Sequence, residues 1–242
     1  MSRCDGSVST DERDVTDRGE PAITGRRDRP FGPEAAAILS TEHWSLLTAR
    51  TLLINEGMQR TTIFLTTLSA ATVALALLAD ATGFGRRSLV FALVVLPTVL
   101  FIGVTTYARL IQSNRDEKQT VLAMNRLRNA YLTMRPELRP YFTTSPYDDE
   151  RGFVTSYGMV EPTAARSSPY FLITTPTVVG TVNAAVAGTL AVLVVLAVSA
   201  PAPAVLVVVG AATFGAVWTG LFAMQWRALE PLRGVPRFPT PS

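Results

Sequence analysis

His43 is the only histidine of the chain, and imidazole is the side chain best suited to general-base or metal-ligand work near neutral pH. Either role needs company: a second histidine, a cysteine or a carboxylate at ligand spacing, or a nucleophile to activate. Only the adjacent Glu42 stands near it, so His43 reads as a polar residue at a helix start. Asp148, Asp149 and Glu150 are consecutive; three such carboxylates cannot converge on one cation from a regular element, and their surroundings do not fit a calcium loop. They read as a solvated acidic turn, paired with Arg151 or with arginines of a nearby helix. Gly83-Phe84-Gly85-Arg86-Arg87 contains a fragment of a glycine-rich phosphate loop, yet it lacks the third glycine and follows no strand, so it reads as a tight turn. Cys4 is the single cysteine, which excludes a disulfide framework. No catalytic, cofactor-binding or metal-binding residue emerges. The sequence points away from an enzyme.

The elements that would have to position any such site are unusual. The chain has 242 residues, 48% hydrophobic and only 17% charged, against about a quarter charged in soluble domains. The charges avoid four windows, whereas a soluble protein scatters them along every amphipathic element. Residues 1–34 alternate acids and arginines with Ser, Thr, Gly and Pro, have no apolar period, and read as a disordered tail with no cleavable apolar segment. Arg26, Arg27 and Arg29 cluster there, but the interspersed Asp28 favours a solvated tail over contact with nucleic acid.

Residues 35–142 are expected to form a helical hairpin with spans at 61–82 and 88–108 and stalks at 41–60 and 109–135. The first helix should start at Ser40 or Thr41, by a hydroxyl cap, with Pro33 and the alanines after it adding at most a short preceding turn. Trp44, Leu47, Thr51, Ile54 and Met58 recur at spacings of three and four and mark its packing seam. Thr61 to Ala79 carries no charge and covers roughly 28 Å, about one bilayer core. Asp80 then falls at the interface. Pro97 predicts a kink in the second span, and Arg109, Arg115 and Lys118 follow it as a basic group suited to anionic headgroups. Val121, Met124, Leu127, Tyr131 and Met134 form the second stalk's stripe, with Arg126, Asn129 and Arg135 off it, and Pro136 ends the helix. Residues 143–166 are a loop, in which 152–160 is either a short strand or an interfacial segment.

Residues 167–226 contain no charge and are split by Pro201-Ala202-Pro203, which predicts a second transmembrane hairpin with spans at 177–199 and 204–226. Gly180, Ala184 and Gly188 repeat every four residues, as do Ala212, Ala216 and Gly220, so the two helices should pack stripe to stripe. Asn183, beside the first stripe, is expected to hydrogen-bond to another helix in preference to lining a pore. Trp226 is an interfacial anchor, and 227–242 is a disordered basic tail. All but Arg86 and Arg87 of the 22 Lys and Arg residues fall on one side of this topology, which the positive-inside rule makes the cytoplasm, with both termini there.

Three stretches carry a resemblance. Leu39-Ser40-Thr41-Glu42-His43-Trp44-Ser45-Leu46-Leu47, Met124-Asn125-Arg126-Leu127-Arg128-Asn129-Ala130-Tyr131, and Arg135-Pro136-Glu137-Leu138-Arg139-Pro140-Tyr141-Phe142 with Asp148-Asp149 resemble an uncharacterised, actinobacterial-type family of bacterial multi-pass membrane proteins. In architecture alone the chain is also similar to SLATT-type membrane effectors, which are proposed to oligomerise into pores; the second hairpin departs from that pattern, and no functional residue carries over. The expectation is an all-α protein of the bacterial plasma membrane with four transmembrane helices in two hairpins. It would be a self-associating structural, scaffold or pore-forming component without cofactors. Its partners would be the bilayer, anionic headgroups and further copies of itself, with a channel or transporter subunit as the alternative and a membrane enzyme behind both.

Overall fold

The structure, a computed structural model, describes residues 32–83, 85–158, 174–228 and 236–241. Two helices dominate, α1 (Pro33–Thr82) and α2 (Arg86–Met134), of 50 and 49 residues. At ~1.5 Å per residue each is about 75 Å long, more than twice the ~30 Å of a hydrocarbon core, so both must stand well clear of any membrane they cross. Their connection is short because Gly83 adopts φ 63°, a left-handed conformation open to glycine, and caps α1 by donating its N–H to the Ala79 carbonyl. α1 starts at Pro33, not at Ser40 or Thr41: Gly32 is the N-cap, proline occupies the first turn, and the following alanines are strong helix formers. The Thr41 hydroxyl donates back to the Ala37 carbonyl inside the helix.

α2 runs unbroken through Pro97 and ends at Met134, ahead of Pro136. A 3-10 turn (Pro136–Tyr141) and a short helix α3 (Glu150–Ser156) follow. The stretch expected as a strand or interfacial segment is thus helical as far as Ser156, because Asp149 caps it by accepting the Gly152 N–H at 2.7 Å. The second hairpin is α4 (Thr175–Val198) and α5 (Pro203–Ala228). The expected disordered tail up to residue 31 and the loop beyond residue 158 lie outside the described residues.

α2 is the central element. It packs against α1 on one side and α4 on the other, carries α3 and the 3-10 turn on its stalk, and leaves α5 held mainly by α4. The core lies where three helices meet: Phe64 of α1, Val99, Tyr107, Leu110 and Ile111 of α2, and Val179 of α4. Gly103 of α2 makes that meeting possible, since a Cβ there would run into the Asn183 amide and, at 2.6 Å, the Phe64 ring. Large apolar side chains remain exposed along all four long helices, among them Leu77, Val94, Phe101, Val198 and Val207. Such continuous apolar exposure is not tolerated in water and suits lipid. The described residues therefore form an all-α protein with four helices long and apolar enough to cross a membrane.

Two packing expectations are corrected. The α1 seam against α2 is formed by His43, Leu46, Arg50, Leu53 and Gly57, each one residue before a member of the expected stripe. One residue is about 100° of helix rotation, so Trp44 (69% exposed), Ile54 (46%) and Met58 (56%) lie off the seam, Ile54 and Met58 at the edge of a cleft that Leu110, Asn114 and Glu117 of α2 also line, while Leu47 stays half-buried. The real seam is less apolar, but Arg50 has a carboxylate partner on α2, His43 packs on the Tyr131 ring, and Gly57 lets Leu110 approach to 3.1 Å of where a Cβ would sit. In the second hairpin Gly180, Ala184 and Gly188 are buried as expected, but they meet Tyr107, Leu221, the Gly210 carbonyl and Phe214. Ala212, Ala216 and Gly220 face outward instead.

Gly103→Ala is expected to lower stability in detergent by about 1–3 kcal/mol through overpacking. Gly215→Ala, whose Cβ meets nothing within 4 Å, should be neutral or slightly stabilising. Paired thermal melts followed by helical circular dichroism check both.

Candidate functional site

The polar residues of the stalks are gathered into three ties along α2. Nearest the apolar spans, Glu56 of α1 accepts two bonds from Arg109, at 3.0 and 2.8 Å, and one from Arg60 at 2.9 Å. The hydrogen bonds from Arg109 and Arg60 hold its carboxyl down at about 2. Further out, Arg50 gives two bonds to Glu117, at 3.1 and 3.0 Å, while Tyr157 donates to the same oxygen at 2.6 Å and lies under the Arg50 guanidinium. Burial, and then the bond to Glu117, push the Tyr157 hydroxyl well above its ordinary range. Opposite charges on facing helices thus fix the register of α1 on α2.

The third tie is the most elaborate. Asn125 is fully buried, and its amide donates to the Tyr147 carbonyl at 2.8 Å and lies 3.4 Å from that of Gly152. Its oxygen accepts from Arg128 at 2.6 Å and Ser156 at 3.1 Å, so one side chain binds the loop after α2 to α3. Beside it the Asp148 carboxylate, with no side-chain exposure, takes Arg126 at 2.6 Å and the backbone N–H groups of Arg237 and Phe238 at 3.1 and 2.7 Å. Asp148 returns its own N–H to the Phe238 carbonyl, and Asp149 accepts both the N–H and the hydroxyl of Thr240. Two aspartates therefore clasp the extended segment 236–241. Burial alone would raise the Asp148 carboxyl, but Arg126 and the two backbone donors outweigh it and the net shift is downward. Asp149 is likewise raised by burial and lowered further by Thr240 and Gly152.

Inside the bundle the polar groups are fewer. Tyr107 donates to the Leu221 carbonyl at 2.6 Å, and the buried Gln225 lies 3.4 Å from its hydroxyl and bonds to Thr174 and Thr177. This joins α2, α4 and α5 at one end of their spans. Asn183, expected to hydrogen-bond to another helix, does touch α2 at Gly103, but both atoms of its amide are without a partner.

Several expectations are corrected by this geometry. His43 lies ten residues inside α1, packed on the Tyr131 ring with Nδ1 buried and unpartnered, and burial followed by the nearby Arg128 lowers its pKa. Arg109, expected to serve headgroups, is engaged by Glu56, and Lys118 lies over the Phe153 ring. Of the acidic run, the buried Asp148 and half-buried Asp149 form a clasp in place of a solvated turn, although the pairing with a stalk arginine is as expected. Arg126, off the apolar stripe, is that partner. The end of the basic tail, expected to be disordered, is bound over 236–241. Asn125 and Gln225 carry no local mark in the sequence beyond a neutral amide next to Met124 and Met224. Among the described residues no three His, Cys, Asp or Glu side chains are grouped to hold a metal ion. The fold and its sites define a multi-span helical protein of membrane type. No protein-family model, no curated protein and no solved structure matches the chain.

Depressed carboxyl pKa values stabilise the clasp above the ordinary value near 3.8, and that stability is lost as pH falls below it through the folded values. A fluorophore on Pro241→Cys should therefore be immobile near pH 7 and gain mobility, read as falling anisotropy, as pH drops below about 4. At neutral pH Arg126→Ala should cost about 1.5–3 kcal/mol and loosen the label, because it strands a buried carboxylate. Arg135→Ala, which removes only an exposed pair with Glu137, should cost less than about 0.5 kcal/mol.

Proposed function

We propose that the protein is a non-enzymatic, self-associating component of a membrane, a scaffold or pore-forming subunit whose copies meet through the outward face of the α1 stalk. The observation that carries this reading is the exposure of Trp44, Ile54 and Met58, large apolar side chains on the part of α1 beyond its apolar span. Trp44 precedes the span at residue 61 by about 25 Å of helix, so lipid does not cover it. Burying a side chain of this kind is worth about 1.5–3 kcal/mol, which favours a second copy over water. The outward stripe of Ala212, Ala216 and Gly220 supplies a close-packing surface of the kind that membrane helices use to associate. The resemblance in architecture alone to SLATT-type effectors, which are proposed to form pores, supports the same reading. The charged side chains described above hold elements together, which supports a structural role over a catalytic one.

Trp44→Ser with Met58→Ser is expected to reduce oligomer size in detergent and in native membranes, each side chain contributing up to about 2 kcal/mol if it lies centrally in the interface. Leu53→Ala, in the seam with α2, should lower thermal stability first. An unchanged oligomer in the double serine variant, with helicity intact, removes this interface from the reading.

The excess of Lys and Arg supports a topology in which the stalks, the clasp and both termini lie on the cytoplasmic side of a bacterial plasma membrane. A cysteine at the exposed Gln119 should resist an impermeant thiol reagent in intact cells, and one at the exposed Ala202 should react. The opposite pattern reverses the topology.

A further inference from the structure

A cleft of about 1070 Å³ opens between α1 and α4, with α2 as its floor. Its origin lies in the packing: α1 and α4 converge on α2 through Phe64 and Asn183 over Gly103, and part from there toward the 83–85 turn. Its walls are Leu68, Leu75, Leu96, Val186, Leu193 and small residues such as Ala92 and Ala185. Its hydroxyls make no polar demand on an occupant, since Thr72, Thr189 and Ser88 already donate to the carbonyls of Leu68, Ala185 and Gly85 in their own helices or caps.

One feature of the lining is not apolar. Arg86 stands at the open end, exposed, with no ion-pair partner among the described residues. Arg87 is next to it, and Asp80 on α1 is the acidic residue nearest in sequence; it does not line the cleft. Along α2 the lining runs from Arg86 to Leu96, about 15 Å at ~1.5 Å per residue, which is half of a ~30 Å hydrocarbon core. The cleft is therefore about one leaflet deep along α2, ends at Leu68, Leu96 and Val182 short of the Phe64 and Asn183 contact, and is charged at the level of the headgroups.

We infer that this cleft is a binding site for an anionic phospholipid of the leaflet at the 83–85 turn, its acyl chain filling the groove between α1 and α4 and its phosphate held by Arg86. A zwitterionic lipid fits the groove but leaves the arginine less well matched, so selectivity comes from charge and retention from shape. The inference rests on the four helices crossing a membrane and is independent of self-association through the α1 stalk.

The test uses the full chain purified in detergent, with phosphatidylglycerol or phosphatidylcholine added and retained lipid counted by native mass spectrometry. Retention of phosphatidylglycerol is expected to exceed that of phosphatidylcholine by several-fold. Arg86→Gln should abolish the preference, and Ala185→Phe, which fills the groove from an exposed position, should abolish retention of both while helicity is kept. Equal retention of the two lipids by the native chain overturns the inference, as does undiminished retention by folded Ala185→Phe. A change of oligomer size in Ala185→Phe without loss of lipid assigns the cleft to a second copy and likewise overturns it. Altered oligomer size in the Trp44 and Met58 variant with lipid retention intact leaves this site standing and bears only on the stalk interface.

Discussion

A missing side chain at Gly103 sets the geometry of the whole apolar region. Phe64 and Asn183 come from helices on opposite sides of α2, and both occupy the space where a Cβ at 103 would be. Because α1 and α4 are drawn together there and make almost no other direct approach, the three helices share a waist and not a continuous interface. The arrangement carries a cost: the Asn183 amide is buried with neither atom satisfied, and such a group is expensive in a low-dielectric interior. It also explains why a cleft exists on one side of the waist. Helices that cross over a single close contact must diverge away from it, and small residues such as Ala92 and Ala185 leave the space unfilled.

Beyond the apolar spans a different force takes over. Lipid cannot stabilise the stalks, so α1 and α2 are held together there by charge pairs whose members face each other across the seam. Glu56 with Arg109 and Arg50 with Glu117 are only partly exposed, and each arginine engages its carboxylate with two nitrogens, which makes them stronger and more directional than ordinary surface pairs. Arg50 can occupy an inward position because Glu117 and Tyr157 meet it there. That exchange rotates α1 and leaves Trp44, Ile54 and Met58 largely exposed. A helix pair that satisfied itself through Trp44, Ile54 and Met58 would have no such surface to offer.

The clasp extends this logic to the chain end. Asp148 and Asp149 bind main-chain donors of 236–241, so the interaction depends on an extended backbone more than on particular side chains. Asn125 holds the clasp to α2 with a fully satisfied amide, the reverse of Asn183. Buried polar groups with every partner in place specify one arrangement, and here they fix a loop that has little apolar surface of its own.

The sequence by itself determined the number and apolar character of the four long helices, the end of α2 before Pro136, and the connection at Gly83. These are consequences of local rules: backbone amides inside a membrane must be satisfied within a helix, proline stops one, and glycine turns one around. For the acidic run at 148–150 the sequence offered Arg151 or a stalk arginine as the partner, and the second is the one Asp148 takes. What only the tertiary structure decided is which face of each helix looks inward. Helical periodicity marks the more apolar stripe, but the seam went to the stripe that carries Arg50 to Glu117, one residue away in α1, and off the Ala212 stripe in α5. Partner geometry is a property of two elements at once, and no reading of either alone contains it. For the same reason Arg126 looked like a solvent-facing residue, and the docking of 236–241 onto Asp148, about ninety residues away in the chain, left no local trace.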